Sequence, residues 1–204
     1  LLPDAEIVYE KGCGDEFNDT DKSGFAAAIE AARNADAVIL CLGEPQDYSG
    51  EGNCRCELDL PGVQTELAQA VIQANPNTAV VLFTGRPLAI KKLDAIAPAI
   101  LNMWFPGTMG GDAAADLLFG DANPSGKITM TFPRALGQCP IYYNHYTTGR
   151  PKAEEDDEKF VRFTSCYMDM PNSPLYPFGY GLSYTNFEYS DFTLSSDTMN
   201  RGDT

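Results

Sequence analysis

The hydrophobic positions of this chain fall into short runs, which are separated by longer amphipathic or Ala-rich stretches. The short apolar runs predict strands at 6–12, 36–43, 78–83, 99–105 and 127–132. The periodic stretches predict helices at 25–34, 61–74, 88–96 and 109–119. Apolar strands that alternate with helices are typical of a parallel sheet with both faces covered. We therefore expect an α/β fold, a three-layer α/β/α sandwich with a mostly parallel sheet and an irregular C-terminal tail.

The sequence changes character after residue 133. The part that follows is rich in Tyr, Pro, Gly and Asn and shows no sustained periodicity. We predict that residues 1–133 form the sandwich domain and that residues 134–194 wrap around it as an irregular tail. The polar residues 195–204 are expected to be a linker towards a further domain that lies outside this chain.

The charge of the chain narrows the classes of partner. Its 204 residues include 14 Lys and Arg against 29 Asp and Glu, a formal net charge of −15. Such a surface repels phosphate backbones, so we expect no nucleic-acid partner. No apolar run approaches the ~20 residues of a membrane span, so no membrane partner is expected either. The negative charge would neither attract nor repel a neutral sugar.

The six cysteines and the single histidine bear on metals and compartment. Cys54 and Cys56 are separated by one residue, which is too close for a normal structural zinc pair, and no second pair follows. We therefore predict no metal site and no cofactor. Cys41 lies in an apolar run and is expected to be an inert core residue. Free thiols favour a reducing compartment, and hence a cytoplasmic over a secreted location.

The candidate chemistry lies in the run from Tyr48 to Gln64, which follows the second predicted strand. Here Glu51 stands between two glycines, four residues before Arg55. Glycines on both sides leave the backbone free and the carboxylate uncrowded. Open α/β sheets place their chemistry in the loops at the ends of their strands. Glu51 is therefore the first candidate for a catalytic residue.

The same run carries a resemblance to a known family. It is similar to the acid/base loop in the second domain of glycoside hydrolase family 3, the family of β-glucosidases and β-xylosidases. Further segments resemble the same domain in the same order and bring the resemblance to roughly residues 5–194. They are T-G-R-P-L-A at 84–89, the run W-F-P-G-T-M-G-G to N-P-S-G-K at 104–127, T-F-P-R at 131–134, Y-Y-N-H-Y-T-T-G-R-P at 142–151 and L-Y-P-F-G-Y-G-L-S-Y-T-N-F at 175–187.

The resemblance implies a retaining, exo-acting β-glycosidase that acts on a β-linked glucoside or xyloside. Retention needs two carboxylates about 5 Å apart, one as nucleophile and one as proton donor. The family has its aspartate nucleophile on an N-terminal barrel domain, which nothing in this chain matches. Glu51 would be the general acid/base, and the chain alone would be inactive. The resemblance also implies a partner barrel domain and a C-terminal β-sandwich domain.

The neighbours of Glu51 leave some alternatives open. Arg55 is expected to anchor the loop by pairing with a carboxylate, and a direct contact with the sugar is the alternative. Family members often carry Asp directly before this arginine, whereas this chain has Cys54. Glu44, at the end of the predicted strand, and Glu57, just beyond Arg55, are rivals for the acid role.

A second motif favours calcium at first sight. Asp19, Asp21, Ser23 and Glu30 fit the spacing of an EF-hand loop. Such a loop needs a helix on both sides, and the preceding residues have no helical face. We interpret the segment as the cap of the helix at 25–34, with Asp21 or Ser23 as the capping residue.

Two other functional classes compete with the enzyme. One is a non-catalytic carbohydrate-binding or interaction domain that keeps the fold without the chemistry. The other is a flavodoxin-like nucleotide-binding domain, which the lack of a Gly-rich phosphate loop after the first strand disfavours.

Overall fold

A parallel three-stranded sheet forms the centre of the protein. The computed structural model describes residues 3–14 and 19–202. The strands β1 (Val38–Gly43), β2 (Thr78–Phe83) and β3 (Ala99–Asn102) lie in the order β1-β2-β3. Both pairings are parallel. The prediction of an α/β sandwich with a parallel sheet is confirmed.

Helices alternate with these strands along the chain. They are α1 (Phe25–Asn34), α2 (Gln64–Ala74), α3 (Lys91–Asp94) and α4 (Gly110–Leu118). Three short 3₁₀ turns lie at Gln46–Tyr48, Leu136–Gln138 and Glu154–Asp156. The predicted helix at 88–96 was too long, and the structure keeps only α3. Leu88 and Ile90 instead belong to the loop before it, and both side chains are buried in the core.

The core lies on one face of the sheet, under α1, α2 and α3. Its centre is the middle strand β2, where Val80 and Leu82 are fully buried. Apolar residues of α2 that recur at helical spacing pack against this strand face; they are Leu67, Ala68, Val71 and Ile72. Phe132, which lies just before the tail, also belongs to the core.

One side of β1 is open to solvent. Its buried residues alternate with exposed ones, so Leu40 and Leu42 face the core, while Ile39 and Cys41 are exposed. The prediction that Cys41 is a core residue was wrong. An apolar run indicates a strand but does not say which of its two faces is covered.

Two predicted strands do not form among the described residues. The segment at 6–12 runs without strand structure, and Ile7, Val8 and Tyr9 are largely exposed. The segment at 127–132 does not join the sheet; it pairs with the tail instead. Phe132 makes an isolated antiparallel bridge to Tyr176. Both predictions were wrong because a strand also needs a partner backbone, which a local apolar pattern does not supply.

The EF-hand-like segment is a turn. The Asp19 carboxylate accepts the backbone N–H of Asp21 at 2.7 Å, and the Asp21 carboxylate accepts that of Ser23 at 2.8 Å. These are the local bonds that Asp side chains make in turns. Gly24 is the N-cap of α1, without a side-chain hydrogen bond, so the prediction that Asp21 or Ser23 caps this helix was wrong.

The described residues contain neither a candidate metal cluster nor a helix that could span a membrane. Within 3–14 and 19–202, no group of three or more His, Cys, Asp or Glu side chains could hold a metal ion. No helix in the same ranges is long and apolar enough to cross a membrane.

The tail is organised around one carboxylate. Asp157 accepts the backbone N–H of Asn172 at 2.8 Å and that of Ser173 at 3.2 Å, and Lys152 lies 3.8 Å away. Burial raises the pKa of Asp157, but the hydrogen bonds from Ser173 and Asn172 and the charge of Lys152 lower it by more, so the net pKa lies below its ordinary value. The boundaries of the tail stay a prediction.

Candidate functional site

The candidate site lies at the edge of the sheet where the parallel strands end. Gly43, the last residue of β1, has a φ of +148°, and a Cβ there would lie 1.8 Å from the carbonyl oxygen of Phe83. Only glycine lets the two strands approach so closely. The Gln64 side chain accepts the N–H of Gly43 and donates to its carbonyl, both at 2.7 Å. These contacts fix the backbone from which the next loop departs.

Glu44 follows as a buried, fully engaged carboxylate. Its backbone N–H donates to the Phe83 carbonyl at 2.8 Å, and its side chain has no exposed surface. Oε1 accepts a hydrogen bond from Arg55 Nη1 at 2.7 Å and lies 3.2 Å from Arg86 Nε. That second contact is an ion pair without an aligned hydrogen bond. Oε2 accepts the N–H of Gly85 at 3.0 Å.

The two arginines connect Glu44 to different parts of the loop. Arg86 donates to the Tyr48 carbonyl and, at 3.3 Å, to Ser49 Oγ. Arg55 donates to the Asp59 carbonyl at 2.9 Å, and its guanidinium lies 5.0 Å from the centre of the Tyr48 ring. We call residues 45–55 the Glu51 loop.

Glu51 lies at the exposed tip of this loop. The N–H of Asn53 donates to the Gly50 carbonyl at 3.1 Å, which closes a four-residue turn. Gly52 has a φ of +81°, the value that the third position of a type II turn requires. The Asn53 side chain donates to the Asp47 carbonyl at 2.9 Å and steadies the turn from inside. Glu51 itself is exposed, and no described residue hydrogen bonds to its carboxylate.

The structure distinguishes Glu44 from the two other candidate carboxylates. Glu44 binds Arg55 and has no oxygen directed to solvent. Glu57 is exposed beyond the arginine. Arg55 pairs with Glu44 and not with Glu51. Sequence reasoning missed Arg86 as a partner of this site, although its position three residues after β2 puts it at the same sheet edge as Glu44.

Comparison with known proteins identifies the sequence family. The model of the glycosyl hydrolase family 3 C-terminal domain matches residues 5–184. A periplasmic β-glucosidase of Salmonella typhimurium is 51% identical over 174 residues, which are 85% of this chain and 22% of that protein. A β-xylosidase of Formosa agariphila is 42% identical over 194 residues, 95% of this chain and 25% of that protein. The resemblance found in the motifs is confirmed.

Solved structures agree with the sequence relatives. The β-glucosidase from Listeria innocua, solved in complex with isofagomine, matches with a TM-score of 0.79 and 44% identity over 85% of this chain and 24% of that one. The β-glucosidase from Kluyveromyces marxianus, in complex with glucose, matches with a TM-score of 0.65 and 32% identity over 86% of this chain and 21% of that one. The chain therefore spans about a quarter of the length of these relatives.

Proposed function

The chain belongs to the glycosyl hydrolase family 3 C-terminal domain family, and from that premise we propose that it supplies the general acid/base of a retaining β-glycosidase, with Glu51 in this role. The observation that carries the proposal is the contrast between Glu51 and Glu44. Both lie near the same sheet edge, but Glu51 is exposed on a defined turn and Glu44 is buried between two arginines. A proton donor has to reach the leaving oxygen of a substrate, and of these two carboxylates only Glu51 is accessible to do so.

The partner of this domain would be an N-terminal barrel domain that carries the nucleophile. A glycosyl-enzyme intermediate forms on a second carboxylate about 5 Å from the acid/base in retaining enzymes. Nothing in this chain matches that barrel domain, so the nucleophile would be supplied by the partner. An exposed turn suits a residue that has to reach a sugar held by another domain. A C-terminal β-sandwich domain is a further expected partner.

The substrate is a terminal β-linked glucoside. The sequence relative with the highest identity reported above is a β-glucosidase, and both reported crystal structures are of β-glucosidases. The alternative is a β-xyloside, which the 42% identity to the Formosa agariphila β-xylosidase favours. One relative is periplasmic by name, so we prefer an exported protein to the cytoplasmic location expected from its cysteines.

The role of Glu51 is tested by changing it to Ala in the longer enzyme that contains this domain. We expect hydrolysis of a β-linked disaccharide to slow by roughly 10²- to 10⁴-fold, the usual contribution of a general acid. An aryl glycoside with an activated leaving group should slow much less in its first step, because its departing phenolate needs no proton. Azide should restore turnover of the aryl glycoside, whose second step lacks a base. A small anion fits the space of the missing carboxylate and attacks the covalent intermediate without needing a base.

Glu57→Ala is the matched control, because Glu57 is an exposed glutamate just beyond the same loop. It should keep the activity of the unchanged enzyme on both substrates. If Glu57→Ala loses disaccharide hydrolysis and Glu51→Ala retains it, the residue assignment is wrong. The 204-residue chain by itself should hydrolyse neither substrate, because an acid without a nucleophile forms no covalent intermediate.

A further inference from the structure

A buried cluster of three charged side chains lies at the base of the Glu51 loop. Glu44, Arg55 and Arg86 have side-chain exposures of 0%, 12% and 22%. One carboxylate oxygen faces both guanidinium groups. Removing the Glu44 charge would leave two partly buried guanidinium groups without their counter-charge, so the placement of both arginines depends on Glu44.

The cluster contacts the Glu51 loop both before and after Glu51. Arg86 binds the Tyr48 carbonyl and Ser49 Oγ, just before the turn. Arg55 is itself the last residue of the loop, just after the turn. Because both arginines bind Glu44, the entry and the exit of the loop are tied to one point at the end of β1. Only the few residues of the turn extend beyond these anchors.

We infer that Glu44 is a positioning residue, which acts through Arg55 and Arg86 to hold Glu51 at the reacting bond. This inference rests on the proposed role of Glu51. A proton donor works only within hydrogen-bond reach of the leaving oxygen, about 2.6–3.2 Å. A displacement of about 1 Å by a distant change can lower the rate about 10²-fold. Loosening either anchor should therefore act on the proton-transfer step in particular.

The first test is Glu44→Gln in the longer enzyme. The amide keeps the shape of the carboxylate, but it no longer neutralises the two arginines. We expect kcat on the disaccharide to fall about 10- to 100-fold, with a smaller fall on the activated aryl glycoside. Azide should not restore the rate, because Glu51 still occupies its own space. Glu57→Gln, which removes an exposed charge nearby, is the control and should change neither rate.

The second test does not require that the fold accommodate the Glu44→Gln change. Arg86→Met keeps the pair of Glu44 and Arg55 but cuts the connection to Tyr48 and Ser49. In the 204-residue chain, we expect hydrogen exchange of the Asn53 amide, which closes the turn, to become at least several-fold faster, while the amides of α2 keep their protection. In the longer enzyme, the same variant should show the leaving-group dependence expected of Glu44→Gln.

The outcomes separate this inference from the proposal on which it rests. If Glu51→Ala shows the leaving-group dependence and azide rescue, but Arg86→Met slows both substrates equally or leaves exchange of the turn unchanged, the positioning role is refuted and the acid/base role stands. If Glu51→Ala shows neither effect, both are refuted.

Discussion

Replacing Phe132 with Ala tests whether the tail and the sandwich fold as one unit. The Phe132 side chain is 2% exposed and joins the core. Its ring centre lies 5.6 Å from that of Trp104 and 5.9 Å from that of Tyr176. Its backbone N–H donates to the Tyr176 carbonyl at 2.9 Å. One side chain therefore connects the core of the sheet to a part of the tail more than forty residues further along the chain.

The size of the effect follows from this burial. A buried Phe→Ala change costs about 3–5 kcal/mol, because the lost contacts leave a cavity behind. For a protein of this length, each kcal/mol lowers the melting temperature by about 2–4 °C, so we expect a fall of roughly 6–20 °C. The stability of a whole domain is only about 5–15 kcal/mol, so the loss is a large fraction of it.

The assay is thermal unfolding of the 204-residue chain, followed by circular dichroism and by tyrosine and tryptophan fluorescence. We expect one transition that moves to lower temperature in both signals. Phe192→Ala is the control: this ring is 87% exposed, so its removal should change stability by less than about 0.5 kcal/mol. Two separate transitions, or a Phe132→Ala midpoint equal to that of the control, would refute the docking of the tail onto the core.

Three further outcomes are expected. The pKa of Asp157 is lower in the folded protein than in the unfolded chain, so its ionised carboxylate stabilises the fold fully above the ordinary carboxyl pKa of about 3.9. This stabilisation is lost as the pH falls through the lower folded pKa. The difference in unfolding free energy between the unchanged chain and Asp157→Asn, measured by urea unfolding, should therefore shrink below about pH 4. Calcium should leave the melting temperature unchanged, and an upward shift that Asp21→Ala abolishes would contradict the turn interpretation. Gly85→Ala should cost about 1–3 kcal/mol in urea unfolding, because its Cβ would lie 2.0 Å from Ser49 Oγ, whereas Gly107→Ala, with no atom within 4 Å, should cost much less.

The sequence predicts those helices and strands that carry a clear local pattern of apolar residues. The bounds of β2 and α1 agree with the predictions at 78–83 and 25–34. Both segments carry a strong local pattern, a continuous apolar run in β2 and an Ala-rich stretch in α1. Where a segment depends on a distant backbone, prediction fails. The run at 127–132 has the composition of a strand, but its hydrogen bonds go to a tail segment around Tyr176.

The residues of the candidate site also fall into those that the sequence can predict and those that depend on contacts between distant segments. Glu51 and Arg55 can be found from the sequence, because glycines flank the first and both lie in a motif that resembles a known family. The partners of Glu44 are a tertiary result: Gly85 and Arg86 are brought to it by the parallel pairing of β1 and β2, across 41 residues in the case of Gly85. No local pattern gives that contact, so the sequence left Glu44 as a rival acid.

Energetics explain why a charged cluster stands at the base of the loop. Taking a carboxylate and two guanidinium groups out of water costs several kcal/mol for each ion, and apolar residues of similar volume often give equal or greater stability. Stability alone therefore does not account for Glu44, Arg55 and Arg86. Apolar residues pack without binding particular atoms. A guanidinium group instead makes directional hydrogen bonds and can bind a carboxylate and a carbonyl oxygen at the same time. In the role proposed for Glu51, the loop has to hold this carboxylate within about 0.5 Å of its productive position, and it needs directional contacts at both of its ends to do so.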